Sequence, residues 1–435
     1  MKVRLMAIAL AASLTLLALA GCSGSKGGTG AGGPENPIDP NQPLTLSLYQ
    51  YSANLSDEEF RVLMAEPLKK KYPNVTLELV RAGTGTSPEQ MVTAGTMPDI
   101  IFTGSAGAVT INKLKAAQDL NGLIKKYNMD INKFDAVAMD SIRRYSESGE
   151  LFAIPFNLNF SALYYNKDVF DKFAVAYPKD GMRWDDAIEL ARRVTRSQDG
   201  VQYSGLNVDG GVQRLAEQLE LAVVDPKTLK AVLMTDGWRK VADTYKRLMD
   251  IPGNRISNPV QVFEKDRTLA MLIGLGARLG ELEELHNTGN PMNWDLATVP
   301  TFPEYPNNAL RTSVFLLMLS STSKYQEQAF QVMSFFTSEE IQAEINKRGR
   351  LTSLKDPKFR QSFGETINTL KGKNKDAIFK TVPAPMPPIT LYDGIALNEA
   401  TAAIGEVVNG RSDANTALRA AEDRANKRIE EQKNQ

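Results

Sequence analysis

Two short polar segments contain the residue types that could recognise a small molecule. They are Tyr49-Gln50-Tyr51 and Thr103-Gly104-Ser105, and each follows an apolar stretch that predicts a β-strand. Amide and hydroxyl groups hydrogen-bond the hydroxyl edges of a polar ligand, and a tyrosine ring offers a flat apolar surface. This chemistry favours reversible binding at two strand ends. The candidate ligand contacts in these segments are Gln50, Tyr51, Thr103, Gly104 and Ser105.

Residues for covalent or metal chemistry are scarce. The 435 residues include one Cys and one His, which excludes a Cys-rich zinc or iron–sulfur site and a two-His metal motif. No Gly-x-Ser-x-Gly nucleophile motif is present. Glu281, Glu283 and Glu284 are the best carboxylate cluster for a glycosidase, but residues this close on one helix rarely flank one bond. We expect these three to face solvent, and we expect no enzymatic activity, no cofactor and no metal.

The composition excludes further classes of protein. Lys+Arg and Asp+Glu number 51 each, so the formal net charge is zero, which argues against a general nucleic-acid binder. Hydrophobic residues make up 42% of the chain, which supports packed cores over a disordered chain. At roughly 150 residues per domain, the length allows up to three domains.

The N-terminus has the form of an export signal. Lys2 and Arg4 precede an apolar stretch from Met6 to Gly21, which is shorter than the roughly 20 residues of a membrane span and fits a signal peptide over residues 1–21. The ending Leu19-Ala20-Gly21-Cys22 resembles the bacterial lipobox. That resemblance implies cleavage before Cys22 and a diacylglyceryl group on its sulfur, whose two chains hold a protein stably on a membrane.

The segment after Cys22 predicts a tether. Residues 22–43 are Gly/Ser-rich and then Pro-rich, and such compositions form flexible linkers with little to bury. We therefore predict a lipidated Cys22 followed by a disordered linker to residue 43. The predicted location is the cell membrane, with the protein lipid-anchored on the outer face.

The body from Leu44 onward predicts alternating strands and helices. Ser56 and Glu59 have the spacing of a capping box, and Pro73 predicts the end of the helix that they open. Short connections between strand, helix and strand imply a mostly parallel sheet covered by helices, in which ligands bind beyond the carboxyl ends of the strands. The predicted strands are 44–49, 75–80 and 99–102, with a further helix over 88–94.

Four stretches along the body carry a family resemblance. They are Met97-Pro98-Asp99-Ile100-Ile101, the GELFAIP segment at 149–155, the YYNKDVF segment at 164–170, and Lys324 to Glu340. In this order they resemble the extracellular solute-binding lipoproteins of ABC importers, of the sugar-binding type related to maltose-binding protein. The YYNKDVF segment is the most specific of the four.

The resemblance implies an α/β fold of two lobes, with a hinge and a ligand cleft between them. A body of this size is also large for a single core. We place the three crossovers between lobes at 153–158, 299–302 and 349–354. The predicted N-lobe is 44–154 plus 302–350, and the predicted C-lobe is 155–301 plus 351–435.

Further candidate contacts lie in the second half of the cleft. Asn159 aligns with a cleft carboxylate of maltose-binding relatives, and Asn157 lies beside it. Gly274 belongs to the segment 273–278, which replaces a stretch where many relatives carry an aromatic residue. Asp209 follows a predicted strand at 203–208 and lies either in a helix-start loop or in a cleft loop. For Arg311 we favour pairing with a surface carboxylate over ligand binding. The added candidates are Asn157, Asn159, Asp209 and Gly274.

These features predict an extracellular protein that closes two lobes around a carbohydrate, expected to be an oligosaccharide, and delivers it to an ABC permease. The expected partners are the carbohydrate, the permease subunits and the membrane through Cys22, with no nucleic acid and a monomeric state. Ala106 stands where maltose-binding relatives carry a carboxylate, so maltose specificity does not carry over directly. The alternative is a sensory or structural lipoprotein of the same fold that binds a partner or a non-sugar solute, and a glycosidase comes third.

Overall fold

The computed structural model describes residues 37–434 except Asn54, Tyr145, Glu147, Ser148 and Met386. The predicted signal peptide and Cys22 lie outside these residues, as does the linker up to residue 36. Residues 36–435 form one compact unit. No helix in the described ranges is long and apolar enough to cross a membrane.

The end of the predicted linker packs against the body. Ile38 is buried, and the Asn74 side-chain amide donates to the carbonyls of Asp39 at 2.8 Å and Gln42 at 2.6 Å. The prediction of a disordered linker is therefore wrong from Ile38 to residue 43, because one apolar side chain and one amide fix this segment.

The strands supply the framework of two sheets. In chain order they are β1 (Leu44–Tyr51), β2 (Val75–Arg81), β3 (Ile100–Gly104), β4 (Ile154–Leu158), β5 (Ser161–Asn166), β6 (Arg196–Gln198), β7 (Val201–Val208), β8 (Leu269–Leu275), β9 (Trp294–Ala297), β10 (Asn308–Ala309), β11 (Val314–Leu319), β12 (Leu351–Thr352) and β13 (Val382–Pro383).

Helices cover both sheets. They are α1 (Asp57–Phe60), α2 (Glu66–Lys71), α3 (Pro88–Ala94), α4 (Ser105–Lys113), α5 (Asn121–Lys126), α6 (Ala136–Arg143), α7 (Lys167–Lys172), α8 (Trp184–Val194), α9 (Gly211–Gln218), α10 (Asp236–Met249), α11 (Pro259–Gln261), α12 (Ala277–Asn287), α13 (Gln326–Phe336), α14 (Glu339–Lys347), α15 (Lys358–Ser362), α16 (Asp393–Val408) and α17 (Ala414–Lys433). Short π-helical turns lie at Arg61–Ala65 and Val262–Asp266, and 3-10 turns at Ile131–Lys133, Asn368–Leu370 and Lys375–Phe379.

The first sheet has six strands in the order β12-β4-β11-β3-β1-β2. As predicted, β1 runs parallel to β2 and β3, whereas β11 runs antiparallel to β3 and β4. Successive residues of a strand point to opposite faces, so Leu48 and Tyr49 join separate buried clusters. Both faces are therefore covered, which explains the short apolar run of β3.

The predicted capping box is present at the start of α1. Glu59 N donates to Ser56 Oγ at 3.1 Å, and Ser56 N donates to Glu59 Oε2 at 2.9 Å. The helical segment continues through the first π-helical turn and ends at Tyr72, before Pro73. This helix packs beside β2 and helps to fix the strand ends of the first lobe.

The second sheet has five strands in the order β6-β7-β8-β5-β9. Strand β5 runs antiparallel to β8 and β9, while β7 and β8 are parallel. Tyr164 and Tyr165 join clusters on opposite faces of β5, and both rings are buried because both faces are covered. Trp184, Trp238 and Trp294 are buried in these clusters.

Strand pairing corrects the first predicted crossover. Residues 155–158, which we had assigned to the C-lobe, belong to β4 in the first sheet, so the chain crosses at Asn159 and Phe160. Pro155 lies within this strand, and an irregularity in the β4–β11 register beside it accommodates its missing N–H.

The second and third crossovers also lie further along the chain than predicted. Phe302 and Leu310 pack in the second lobe, so the second crossing spans 311–313. Strand β12 pairs with β4, and Phe359 packs in the first lobe while Phe363 packs in the second. The third crossing therefore falls at 360–362, and we propose these three short segments as the hinge.

Asp99 of the Pro-Asp motif ties three strands of the first sheet together. Its carboxylate accepts from Ser47 N at 2.9 Å, Ser47 Oγ at 2.8 Å and Ser323 Oγ at 2.7 Å. Hydrogen bonds to a charged acceptor contribute about 1.5–3 kcal/mol each. We expect Asp99→Ala to lower the free energy of unfolding by about 3 kcal/mol in a urea titration. The exposed Asp423 on α17 is the matched control, and equal losses for the two alanine variants would contradict this role.

Candidate functional site

A cavity of about 500 Å³, named cavity A, lies between the two lobes. The first lobe contributes the end of β1 and the start of α1, and the second contributes the loop after β8 and one side of α12. Cavities of this size suit small polar ligands. The lining residues are Gln50, Leu55, Ser56, Glu59, Arg81, Asn157, Leu158, Asn159, Phe160, Gly276, Ala277, Leu279, Gly280, Glu281, Glu284, Phe315, Arg348, Gly349 and Arg350.

A second cavity of about 380 Å³, named cavity B, lies beside the second crossing segment. The first lobe contributes the start of α4, and the second contributes α9 and the start of α16. The lining residues are Ser105, Ala106, Gln213, Arg214, Ala216, Glu217, Leu221, Val223, Arg311, Thr312, Ser313, Pro387, Ile389, Asp393, Gly394 and Leu397.

Cavities A and B are built at neighbouring strand ends. In the first lobe, β1 leads to cavity A and the adjacent parallel strand β3 leads to cavity B. In the second lobe, β8 leads to cavity A and the adjacent parallel strand β7 leads to cavity B. Asn159 N also donates to Ser313 O at 3.1 Å, which joins the crossing segments beside the two cavities. The two cavities therefore form neighbouring parts of one interlobe cleft.

Two asparagines occupy the wall of cavity A beside the first crossing. Asn157 is buried, and its Oδ1 has no hydrogen-bond partner among the described residues. Asn159 Oδ1 accepts from Phe160 N at 2.9 Å and from Gly276 N at 3.2 Å. Asn159 thus fixes the loop after β8, while Asn157 places an unused acceptor at the cavity wall.

Gln50 is held in cavity A by its own lobe. Its Nε2 donates to Ala53 O at 2.9 Å, and its Oε1 accepts from Arg81 Nη1. Arg81 also donates to Leu55 O at 3.0 Å. The amide of Gln50 would therefore share its hydrogen bonds with a ligand.

Of the candidates after β3, the structure brings only Ser105 into a cavity lining. Thr103 is fully buried, with Oγ1 donating to Gly104 O at 3.3 Å. A Cβ on Gly104 would lie 2.8 Å from Ser52 O, so this glycine permits close backbone approach. Strand β3 continues to Gly104, two residues beyond the predicted strand, which places the loop at Ser105 and Ala106.

Three other candidates also lie outside the two linings. Tyr51 stacks on Tyr49, with ring centroids 6.0 Å apart. Asp209 is half-buried in the turn before α9, and Gly274 pairs with Ala162 inside the second sheet. Because β8 extends to Leu275, the glycine that lines cavity A is Gly276. Ligand contact by these three residues stays a prediction.

The acidic cluster on α12 is more buried and more engaged than we expected. Glu283 accepts from Asn368 N at 3.0 Å and Thr369 N at 2.9 Å. Glu281 accepts from Arg278 Nη2 at 2.8 Å. Of the three carboxylates, only Glu284 is exposed. The expectation that all three face solvent is wrong, because α12 packs against the segment 368–370 and because Glu281 pairs with Arg278 of the same helix.

Arg278 lies between the carboxyl groups of Glu264 and Glu281, and Glu281 lines cavity A. Its Nη1 lies 2.7 Å from Glu264 Oε1, and Glu264 is only 7% exposed. Burial, reinforced by the neighbouring carboxylate of Glu281, raises the pKa of Glu264 to about 8 from an ordinary value of 4.5. Sequence reasoning missed this cluster, because Glu264 and Arg278 meet only after β8 brings them together.

This carboxyl group predicts a pH-dependent stability. Between pH 4.5 and about 8 the folded protein holds a proton on Glu264 that the unfolded chain has released. The stabilisation is fully present below pH 4.5 and is lost as pH rises towards 8. Glu264→Gln cannot titrate, so its free energy of unfolding should rise relative to wild type from pH 5 to pH 8. Urea titrations at pH 5 and pH 8 measure the difference in free energy of unfolding between the variant and wild type. For the control Glu431→Gln, at an exposed residue, this difference should be the same at both pH values. The same result for Glu264→Gln would contradict the prediction.

Two α/β lobes, three short crossing segments and a polar cleft at facing strand ends define a hinged binding protein. The chain belongs to the bacterial extracellular solute-binding protein family, whose model matches residues 52–343.

Sequence comparison adds a distant relative. The chain is 21% identical over 294 residues to the sn-glycerol-3-phosphate-binding periplasmic protein UgpB of Rhizobium meliloti (strain 1021). The match covers 64% of this chain and 61% of that protein.

Solved structures share the fold over almost the whole chain. An ABC substrate-binding protein of Listeria monocytogenes in complex with cycloalternan has a TM-score of 0.70 and 18% identity, over 89% of this chain and 99% of that one. The GacH receptor of Streptomyces glaucescens, solved unliganded and with acarbose, has a TM-score of 0.67 and 17% identity, and the match covers 88% of this chain and 97% of that one. The sugar-binding protein MalE of Xanthomonas citri has a TM-score of 0.66 and 14% identity, over 89% and 98%.

Proposed function

We propose that this protein captures a carbohydrate in the interlobe cleft and delivers it to the permease subunits of an ABC importer. The observation that carries this proposal is the pair of adjoining cavities at facing strand ends, lined by amides and charged groups from both lobes. Sugar hydroxyls need such planar polar partners. The complexes of related folds with cycloalternan and acarbose support the same ligand class.

Closure of the lobes provides the mechanism. A ligand in the cleft contacts Gln50 and Asn157 on one side and the loop at Gly276 on the other. Only a closed arrangement makes both sets of contacts, so a ligand shifts the population towards closure. The three crossing segments are short and lie together, which suits a hinge. The permease then distinguishes the loaded protein by the relative position of its lobes.

The remaining parts of the proposal concern anchoring and chemistry. We propose that Cys22 carries the lipid and holds a monomer on the outer face of the membrane. We also propose that the protein is not an enzyme. At cavity A, Glu59 pairs with Arg350 at 2.6 Å and Glu281 pairs with Arg278. Of the three carboxylates that line cavity A, only Glu284 has no such pair among the described residues, and one free carboxylate does not supply the two that a glycosidase uses.

Calorimetric titration with product analysis tests this function. Residues 36–435 are titrated with neutral and acidic mono- and oligosaccharides, with sn-glycerol 3-phosphate and with non-sugar solutes. We expect one carbohydrate class to bind without being converted. Binding of non-sugar solutes only would favour the sensory or non-sugar alternative, and product formation would overturn the non-enzymatic assignment.

A further inference from the structure

We propose that cavity B holds a negatively charged group of the ligand, so that the ligand is an acidic carbohydrate. This inference rests on the proposed function and narrows its substrate class. The group that would bind the anion is the guanidinium of Arg311, in the second crossing segment. Either the carboxylate of a uronic acid or the phosphate of a sugar phosphate has the required chemistry.

Arg311 is a cation that has no counter-ion among the described residues. It lines cavity B and is half-buried, no carboxylate in the described ranges lies within 4.0 Å of it, and its buried Nε has no hydrogen-bond partner there. The other half-buried guanidinium groups of the cleft are all paired. Arg214 pairs with Glu217 at 2.9 Å, Arg278 with Glu281 at 2.5 Å, and Arg350 with Glu59. The preference for a surface ion pair at Arg311 is therefore wrong.

The carboxylates nearest to Arg311 are engaged elsewhere. Glu217 accepts from Arg214 and also from Gln213 Nε2 at 2.8 Å. Asp393 accepts from Thr390 Oγ1 at 2.6 Å, and burial raises the pKa of its carboxyl. Burial in turn lowers the pKa of the Arg311 guanidinium, which nevertheless stays charged at neutral pH. An unpaired charge removed from water is costly unless a partner arrives.

The start of α4 provides further donors in the same cavity. Ser105 and Ala106 line cavity B at the first turn of this nine-residue helix, and the N-cap residue is Gly104, which has no side chain to cap the turn. Backbone N–H groups at such a terminus have no partners within the helix and favour anions. Together with the planar fork of Arg311, they provide the donor set that a carboxylate or phosphate needs.

Matched acidic and neutral ligands test the proposal by calorimetry on residues 36–435. The probes are digalacturonate with galactobiose, and glucose 6-phosphate with glucose. We expect at least one acidic probe to bind about tenfold or more tightly than its neutral counterpart, with an affinity that falls as salt rises. The pair that shows the preference identifies the carboxylate or the phosphate.

Substitution of Arg311 completes the test. In Arg311→Gln the preference for the acidic probe should disappear, because the acidic probe should lose about tenfold more affinity than its neutral counterpart. The melting temperature of the unliganded variant should stay equal or rise, because an unpaired charge is removed. Arg419→Gln, on the exposed face of α17, changes the net charge equally and should bind as wild type does. Arg311→Lys keeps the charge and should restore part of the preference.

The outcomes distinguish the proposal of an acidic ligand from the proposal of carbohydrate capture on which it rests. Equal binding of acidic and neutral probes, or unchanged acidic binding by Arg311→Gln, would overturn the acidic ligand and leave carbohydrate capture intact. Absence of binding by every carbohydrate would overturn both proposals.

Discussion

The free energy of unfolding of the Gln342→Ala variant is expected to be about 4 kcal/mol lower than that of wild type. Gln342 is fully buried, and its Nε2 donates to the carbonyls of Phe156 at 2.7 Å and Phe336 at 3.1 Å. Its Oε1 accepts from Ser353 N at 2.9 Å and Thr352 Oγ1 at 2.8 Å. Truncation strands three buried backbone groups at about 1–3 kcal/mol each, and the vacated volume adds to the loss.

The same contacts link stability to the cleft. Gln342 joins β4 to the segment after β12, beside the wall that carries Asn157. Urea titration of Gln342→Ala against Gln432→Ala, on the exposed end of α17, measures the effect. The control should stay within about 0.5 kcal/mol of wild type. A loss below about 1.5 kcal/mol for Gln342→Ala would show that water or a shifted side chain replaces these bonds.

The second large effect is expected at Gly276. A Cβ on this residue would lie 2.6 Å from Phe160 Cε1 and 3.0 Å from Asn159 Oδ1. The Phe160 ring is buried against Phe363, so it cannot move away freely. Gly276→Ala should therefore lose about 1–3 kcal/mol of stability through overpacking. Because it also displaces the amide of Asn159 in cavity A, carbohydrate affinity should fall about tenfold or more.

Gly280 supplies a control within the same cavity wall. It lies one turn along α12, and a Cβ there meets no atom within 4 Å. Gly280→Ala should gain about 0.5–1 kcal/mol from helix propensity, and it should lose less carbohydrate affinity than Gly276→Ala because its Cβ displaces no group of the wall. Calorimetric affinities and melting temperatures of the pair give the comparison. Equal behaviour of the two variants would mean that the close approach at Gly276 has no consequence for the cleft.

Local sequence patterns predicted the first part of the fold well. The alternation of polar and apolar residues predicted β1 and β2, and the capping box of Ser56 and Glu59 predicted the start of α1. The short connections predicted the parallel pairing. The insertion of β11 between β3 and β4 was not predictable in this way, because it joins segments more than 150 residues apart along the chain. The crossovers were misplaced because the pairing of β4 with β11 and β12, and the packing of Leu310 in the second lobe, arise only from tertiary structure.

The candidate site was partly predictable. Gln50 and Ser105 were predicted from the ends of predicted strands, and Asn157 and Asn159 were predicted from the family resemblance. All four line the cleft. The charged residues were missed because their environments form only on folding. Arg214 and the backbone of Arg311 meet across 97 residues of chain, and no local pattern marks a guanidinium that will lack a partner.

The distance between the lobes, measured with and without carbohydrate, tests the central claim most directly. Residues 36–435 contain no cysteine, since Cys22 is the only one in the chain. Spin labels at Lys113→Cys and Lys227→Cys, both exposed, would lie on opposite lobes. The two lobes face each other near these positions, because Val109 of α4 and Pro226 line a third cavity. We predict that the carbohydrate that binds shifts the interspin distances to a shorter population. Binding that leaves the distance distribution unchanged would contradict capture by closure of the two lobes.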